Sequence, residues 1–252
     1  PYVLVPMIMS NFFDSRIALF LHLSVILMAG FFAPNGFEFV FIQMIAGIVA
    51  VFSLKEIQRR KQIFTTAFYV LLVYIALFLG MQIYYTGGIE GIQWLDLAWL
   101  GGNGLLLLFV LPMIYAYEKI FGFVSDVTLM ELSDTNHPLL RQLAEKAPGT
   151  FQHSLQVANL AESVSREIGG NRLLVHTGAL YHDIGKAADP QYFIENQSGT
   201  NPHENMEFDE SAKIIIGHVK KGVKMAHKNK LPEQIIDFIR THHGTGLTRY
   251  FY

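Results

Sequence analysis

The strongest constraint on the fold is a series of long apolar stretches in the first half of the chain. A helix needs about 20 mostly apolar residues to cross a bilayer, so the later stretches fit membrane spans and the first looks truncated. Consecutive buried helices in a soluble protein would need a far larger polar shell, so we predict a transmembrane helical domain at residues 1–118 with about five spans. The stretches cover residues 2–13, 17–33, 37–54, 63–85 and 92–117, and the fourth is free of charged residues.

Charged residues divide the chain into two parts. Residues 1–120 hold 12 of the 40 charged side chains and one of the ten histidines. Residues 55–61 concentrate four cations in one short loop, which the positive-inside rule places in the cytoplasm. Alternation of the spans then puts everything after Lys119 on the same side. This predicts a multi-pass protein of the plasma membrane with a cytoplasmic second half.

Composition limits both the partners and the chemistry of the chain. Cysteine is absent, which excludes disulfides and leaves imidazole and carboxylate as the ligands for a transition metal. The net charge of −2 gives no global attraction for DNA or RNA, so the lipid bilayer is the expected macromolecular environment. Because no Met opens the chain, we expect a fragment of a longer protein.

Two polar features interrupt the apolar half. Asp96 and the glycine-rich residues 101–104 are expected to break the last stretch, as a kink, a ligand contact or an interfacial segment before the true span. Close helix packing by the glycines is the preferred interpretation. His22 is either functional or packed against a neighbouring helix. Residues 119–147 combine charges with periodic leucines, which predicts linker helices, one of them starting at Pro138.

Four predicted helices in residues 148–252 each carry histidine. Thr150 is expected to cap the first helix, whose apolar stripe should point His153 into the core. The second helix, at about residues 172–184, carries His182 and Asp183 near an end set by Gly185. A third, at 211–228, places His218 on its buried face. The fourth begins at Pro232, buries three isoleucines and ends with two histidines; these residues are Ile235, Ile236, Ile239, His242 and His243.

Burying several imidazoles and a carboxylate without partners would be costly, and metal ions remove that cost. The candidate ligands are too many for one four-coordinate ion and suit two metals bridged by the carboxylate. His176, His203 and His227 lack this placement, and surface or loop roles are predicted for them. The six candidate ligands are His153, His182, Asp183, His218, His242 and His243.

Short segments around these residues resemble the seven-transmembrane HD family of cyclic-di-AMP phosphodiesterases, a branch of the HD-domain phosphohydrolases. The resemblance covers essentially the whole chain and is specific after Glu131. It implies an all-α fold in which a polytopic membrane bundle precedes an HD domain at residues 148–252. The matching segments are residues 131–134, 136–140, 147–150, 181–186, 192–197 and 242–245.

The resemblance also implies a ligand set and a reaction. One metal would be held by His153, His182 and Asp183, and the other by His218, His242 and His243, with Asp183 as the bridge. Relatives add an aspartate farther downstream, so the HD domain is expected to be incomplete after Tyr252 and its first metal weakly bound. A hydroxide bridging two divalent ions, Mn or Fe, would hydrolyse cyclic di-AMP to pApA under regulation through the membrane domain.

Lys186 and Asp183 are the catalytic candidates. Lys186 lies one helical turn after His182 and is predicted to contact a substrate phosphate, with a helix-ending lysine as the alternative. Cyclic di-GMP is a less favoured substrate because the Gly-Tyr-Pro that follows the double histidine in its hydrolases is absent. The sequence leaves open guanosine tetraphosphate or a mononucleotide as the substrate, and a non-catalytic nucleotide-binding receptor as the function. It also leaves open whether the protein forms a homodimer.

Overall fold

The chain forms twelve α-helices and four short 3-10 helices in a computed structural model that describes residues 1–54, 61–89, 91–92 and 94–246. No strand occurs in those ranges, which confirms the predicted all-α class. Two compact units are present, Pro1–Val127 and Thr128–Tyr252, and the boundary between them falls within the predicted linker. Most of the cationic segment, residues 55–60, lies outside the described residues, as do residues 247–252.

Helices of the first unit are apolar, and some are long enough to cross a membrane. Among the described residues, two helices meet this test: α3 (Gly36–Leu54) with 19 residues and α4 (Lys61–Thr86) with 26. A third span results if Ala98–Leu107 and Val110–Phe121, which are bent by 41° at the break between them, count as one. The apolar helix α2 (Ser15–Gly30) has only 16 residues. The chain is therefore a membrane protein, and its described residues contain two or three helices that could span a membrane by length and composition, fewer than the five spans predicted. The helices are α1 (Leu4–Met9), α2 (Ser15–Gly30), α3 (Gly36–Leu54), α4 (Lys61–Thr86), α5 (Trp94–Leu107) and α6 (Val110–Phe121).

The last apolar stretch breaks later than predicted. α5 continues through the glycine-rich residues 101–104, and the break falls at residues 108–109. Pro112 accounts for it, because a proline cannot donate a hydrogen bond to the carbonyl four residues earlier and its ring clashes there. Gly104 instead packs closely against α4, since a Cβ at this position would lie 3.0 Å from Leu71 Cδ1. Close helix packing, the preferred interpretation of residues 101–104, therefore holds for Gly104.

The histidine of the first unit, His22, is buried between helices. Its Nε2 lies 2.8 Å from the Gln43 carbonyl oxygen, and its ring fills the space in which a Cβ at Gly47 would stand, 2.1 Å from Nε2. The Tyr74 hydroxyl donates to Gln43 Oε1 at 2.8 Å. These polar contacts join α2, α3 and α4 through Gln43. They support the interpretation that His22 packs against a neighbouring helix.

Six further helices lead to and form the second unit. α8 (Pro138–Lys146) begins at Pro138, as predicted, and His137 caps it by accepting a hydrogen bond from the Leu139 amide. The 3-10 helices are Ile184–Ala188, Pro190–Tyr192, Ile194–Asn196 and Pro202–Asn205. The α-helices are α7 (Asp126–Ser133), α8 (Pro138–Lys146), α9 (Pro148–Ile168), α10 (Arg172–Tyr181), α11 (Phe208–Lys228) and α12 (Glu233–Thr241).

The buried face of α9 is not the predicted apolar stripe. The stripe residues Leu160 and Ile168 are 68% and 79% exposed, and His153 shares their exposed side. α9 instead packs against α10 with small side chains, which allow two helix backbones to approach closely. The prediction that His153 points into the core is therefore wrong. The buried residues of α9 are Thr150, Ser154, Ala158 and Ser165.

Two helix ends also differ from the prediction. α9 begins at Pro148, a residue suited to the first helical position, so Thr150 lies within the first turn and is not the cap. α10 ends at Tyr181, and the chain passes through His182 and Asp183 into the 3-10 helix Ile184–Ala188. Gly185 therefore does not stop α10. α12 buries its three isoleucines as predicted and begins at Glu233, one residue after Pro232.

Buried hydrogen bonds fasten α10 to α7. The Thr177 hydroxyl donates to the Leu129 carbonyl at 3.2 Å, and the Tyr181 hydroxyl donates to the Leu132 carbonyl at 2.8 Å. Thr177 and Tyr181 are both fully buried, and they lie one helical turn apart on the same face of α10. The end of α10, where His182 and Asp183 follow, is therefore fixed in position.

Candidate metal centre

Close backbone contact brings the end of α10 against α11. A Cβ at Gly185 would lie 1.9 Å from the His218 carbonyl oxygen and 2.6 Å from the Gly222 amide nitrogen. Only a residue without a side chain fits this space, so the 3-10 helix after Asp183 lies directly on α11. As a result, Asp183 and His218 become neighbours although they are far apart in the sequence.

α12 delivers the last two histidines to the same place. A Cβ at Gly178 of α10 would lie 2.4 Å from the Phe238 ring, so α12 also packs closely on α10. His242 and His243 follow immediately after the end of α12. The His242 ring lies 5.0 Å from the His182 ring and 5.4 Å from the His218 ring, measured between centroids.

Asp183 stands at the centre of these side chains and is 3% exposed. Its Oδ2 lies 3.1 Å from His182 Nε2 and 2.8 Å from Lys186 Nζ. Its Oδ1 lies 3.2 Å from His218 Nε2 and 3.4 Å from His242 Nε2. The two oxygens of one carboxylate therefore face two different groups of histidines.

Backbone carbonyls orient three of the imidazoles. His182 Nδ1 lies 2.7 Å from the Ala179 oxygen and His242 Nδ1 lies 2.9 Å from the Ile239 oxygen. His218 Nδ1 makes the same contact with the carbonyl three residues before it, that of Ile215. A carbonyl can only accept, so each Nδ1 carries a hydrogen and each Nε2 faces Asp183, where the lone pair of a neutral ring can bind a metal ion. Metal-binding histidines commonly use their second nitrogen in this way.

The donor atoms fit divalent metal ions. Asp183 Oδ1 is buried and accepts no hydrogen bond, and the Nε2 atoms of His218 and His243 are only 3.3 Å apart. Two imidazole nitrogens at this distance either share a hydrogen or bind the same cation. Imidazole and carboxylate together suit ions such as Zn, Fe and Mn. Two sets have donor atoms within 4.8 Å of one another, namely Asp183, His218, His242 and His243, and His153, His182 and Asp183.

The structure thus brings together all six predicted ligands, including His153 from the exposed side of α9. The His153 ring lies 5.7 Å from the His182 ring. The other histidines of the second unit are elsewhere, as in His176 paired with Glu162 at 2.9 Å and His203 near the Tyr192 carbonyl at 2.9 Å. Neither is in a metal-ligand set among the described residues.

Lys186 is held between two carboxylates. Its Nζ lies 2.8 Å from Asp183 Oδ2 and 2.9 Å from Glu195 Oε1. Glu195 also accepts from the Thr150 hydroxyl at 2.9 Å. Neither Glu195 nor Thr150 was expected to act at the site, and the only sequence signal for Glu195 is its place in the family-like segment 192–197.

The electrostatic environment keeps the carboxylates ionised. Burial alone would raise the pKa of Asp183, but the neighbouring imidazoles of His182, His218 and His242 hold it well below its usual range. Burial would likewise raise the pKa of Glu195, yet the bond from Lys186 lowers it. Burial opposes protonation of His182, and its contact with Asp183 overcomes this and raises its pKa.

These shifts predict the pH dependence of stability in metal-free protein, which should be highest between about pH 4.5 and 6.5. The lowered pKa values of Asp183 and Glu195 stabilise the fold above about pH 4, and this contribution is lost as the pH falls through the folded-state values. The raised pKa of His182 stabilises it below about pH 6.5, and this is lost as the pH rises through the folded-state value.

Thermal unfolding with EDTA or with Mn²⁺, measured from acid to alkaline pH, checks this expectation. Because metals bind neutral imidazole, the stabilisation by Mn²⁺ should grow as the pH rises above about 6.5. The same pH profile with and without Mn²⁺ would contradict the assignment of these histidines as ligands.

Comparison with known proteins gives two consecutive matches along the chain. Residues 1–125 match the family described as a 7TM receptor with intracellular HD hydrolase, and residues 150–249 match the HD domain. The cyclic-di-AMP phosphodiesterase PgpH of Listeria monocytogenes is 41% identical over 213 residues, and that of Bacillus subtilis is 36% identical over 215 residues. Each match covers 83% of this chain and 30% of the relative.

Among solved structures, the HD domain of the Listeria monocytogenes PgpH is 51% identical, with a TM-score of 0.46 over 46% of this chain and 57% of that one. The chain spans about 30% of the length of the curated relatives it matches. Both halves nevertheless match in the order in which the family joins them, a membrane domain followed by an HD domain. The chain therefore belongs to the family of seven-transmembrane receptors with an intracellular HD hydrolase domain.

Proposed function

We propose that the second unit is a metal-dependent phosphodiesterase that hydrolyses cyclic di-AMP to pApA. The observation that carries this proposal is the carboxylate of Asp183, whose two oxygens face two separate groups of histidines. Two divalent ions, when bound, supply a water of lowered pKa and offset negative charge on the phosphate oxygens. The substrate class is supported by relatives with 36–41% identity that are named cyclic-di-AMP phosphodiesterases.

Each ligand has a proposed role. Asp183 would be a ligand of both ions, His153 and His182 would hold one of them, and His218, His242 and His243 would hold the other. Imidazole and carboxylate donors without cysteine suit Mn or Fe, which we propose as the metals. The Nδ1 hydrogen bonds to backbone carbonyls keep His182, His218 and His242 from rotating, so their Nε2 atoms hold their direction.

Lys186 is proposed to orient the substrate. An ammonium group has three hydrogens, and two of those of Lys186 face Asp183 and Glu195. A remaining hydrogen can contact a phosphate oxygen and hold the phosphorus in line for attack by water, which forms one P–O bond as the ester P–O bond breaks. Because its contact with Glu195 fixes the ammonium group, Lys186 offers this hydrogen in a defined direction.

Replacing Lys186 by alanine tests this role. A hydrogen bond to a charged group contributes about 1.5–3 kcal/mol, so kcat/KM should fall roughly 10- to 100-fold. Steady-state hydrolysis of cyclic di-AMP measures the change, with Lys213→Ala on the exposed side of α11 as the control. Unchanged kcat and KM in the Lys186 variant would remove Lys186 from the substrate site.

We further infer that the protein lies in the plasma membrane with the HD domain in the cytoplasm and that the membrane domain regulates hydrolysis. The four cations of residues 55–61 and the intracellular HD domain of the family support this orientation.

Incubation of the full-length protein with cyclic di-AMP and Mn²⁺ or Fe²⁺ tests the function. Formation of pApA by the wild type, its loss in His182→Ala and its retention in His203→Ala are the expected results. Parallel reactions with cyclic di-GMP, guanosine tetraphosphate and a mononucleotide establish the substrate. Binding of cyclic di-AMP without any product would identify a receptor rather than an enzyme.

A further inference from the structure

We infer that Glu195 is a positioning residue that holds the ammonium group of Lys186 when both oxygens of Asp183 are bound to metal. This inference rests on the two-metal site proposed above. It assigns a role to a carboxylate that belongs to neither set of potential ligands among the described residues.

Competition for one oxygen atom creates the need for such a residue. Asp183 Oδ2 lies 2.8 Å from Lys186 Nζ and 3.1 Å from His182 Nε2. A metal bound on the His182 side needs this oxygen, and an ammonium beside the same oxygen would repel the metal. The positive charge of Lys186 therefore requires a second carboxylate close by when the site is loaded.

Glu195 is placed to be that second carboxylate. Its Oε1 lies 2.9 Å from Lys186 Nζ, so the ammonium group reaches it without moving away from the site. The Phe193 ring, centred 5.1 Å from Nζ, covers another side of the ammonium group. The Lys186 side chain is only 14% exposed, so water is a poor substitute for a lost charge partner.

Partly buried hydrogen bonds to α9 fix the position of Glu195. Thr150, which is fully buried, donates from its hydroxyl to Glu195 Oε1 at 2.9 Å. Asn196 accepts from the Thr150 amide at 3.1 Å and donates to the Thr150 hydroxyl at 2.8 Å. A Cβ at Gly149 would lie 1.8 Å from the Glu195 carbonyl oxygen, so the two backbones are in direct contact. Glu195 is thus attached to the helix that carries His153.

Metal affinity, which needs no substrate, tests the inference. In full-length protein titrated with Mn²⁺ against a competing chelator, Glu195→Gln should weaken binding about tenfold or more, as is typical of residues that support metal ligands. Adding Lys186→Met to Glu195→Gln should restore affinity to within about twofold of the wild type, because the competing cation is then gone. Glu204→Gln, an exposed change in the same loop, is the matched control and should have no effect.

Several outcomes decide against the inference. Affinity of Glu195→Gln within about twofold of the wild type would overturn it, and so would a double variant as weak as Glu195→Gln alone, since that indicates general damage to the site. If Glu195→Gln does not fold, Thr150→Val removes one bond to Glu195 and should weaken binding in the same direction; unchanged affinity there overturns the inference. A wild type that binds no Mn²⁺ would instead overturn the proposed function.

Discussion

Replacing Asp183 by asparagine is expected to lower the turnover of cyclic di-AMP by at least about a thousandfold. The amide keeps the shape of the carboxylate but loses the charge that faces His182, His218 and His242. Bound metals contribute several kcal/mol to a phosphoryl-transfer transition state, and about 4 kcal/mol corresponds to a factor of roughly a thousand. The loss should appear in kcat/KM, because neither metal would retain its shared ligand.

The matched control for this variant is Asp209→Asn. The Asp209 side chain is 92% exposed and pairs with Lys213 at 3.6 Å on the surface of α11, so its replacement should leave turnover unchanged. Product formation measured with saturating Mn²⁺ separates the two variants. Turnover by Asp183→Asn within tenfold of the wild type, on the scale of about 1.4 kcal/mol, would exclude Asp183 as the bridging ligand.

Replacing Gly185 by alanine is expected to destabilise the second unit by about 3 kcal/mol or more. The added methyl group would stand 1.9 Å from the His218 carbonyl oxygen, so the 3-10 helix and α11 would have to separate. Backbone atoms on both sides cannot rotate away as a flexible side chain can. Separation would also pull Asp183 away from His218, and metal binding should weaken together with stability.

Gly217→Ala in α11 provides the control. Nothing lies within 4 Å of a Cβ at this position, and alanine favours a helix over glycine by up to about 1 kcal/mol. Thermal unfolding followed by circular dichroism should show a midpoint lowered by about 10 °C for Gly185→Ala and unchanged or raised for Gly217→Ala. Equal midpoints for the two variants would show that the contact between the 3-10 helix and α11 is not as close as described.

Local sequence signals correctly predicted the start of one helix and the buried face of another. Proline at residue 138 marked the start of α8, and the spacing of Ile235, Ile236 and Ile239 identified the buried face of α12. These predictions succeeded because each depends on a property of a single residue or on a short repeat. The all-α class was implied by the family resemblance and agrees with these local patterns.

α9 shows where a hydrophobic pattern fails. Its stripe of large apolar residues, which includes Leu160 and Ile168, lies on the exposed side, while Ser154 and Ala158 are buried. Small residues let α10 approach closely, and that gain depends on the partner helix, which periodicity in one helix does not reveal. His153 lies on this exposed side of α9, and its ring is nevertheless near that of His182.

The sequence predicted the six candidate ligands that the structure brings together. It did not reveal the residues that hold Lys186 and the neighbouring helices in place. Glu195 meets Thr150 across 45 positions of sequence, and no repeat or spacing links a loop carboxylate to the first turn of a distant helix. The need for glycine at residue 185 was likewise invisible, because it depends on the backbone of α11. Contacts of this kind arise only once the helices have packed.

The claim that Asp183 joins two metals is tested most directly by electron paramagnetic resonance of the full-length protein titrated with Mn²⁺. Two ions that share a carboxylate are magnetically coupled, so the account predicts a coupled spectrum when two equivalents have bound and loss of that coupling in Asp183→Asn. A spectrum of isolated ions at every loading of the wild type would contradict it.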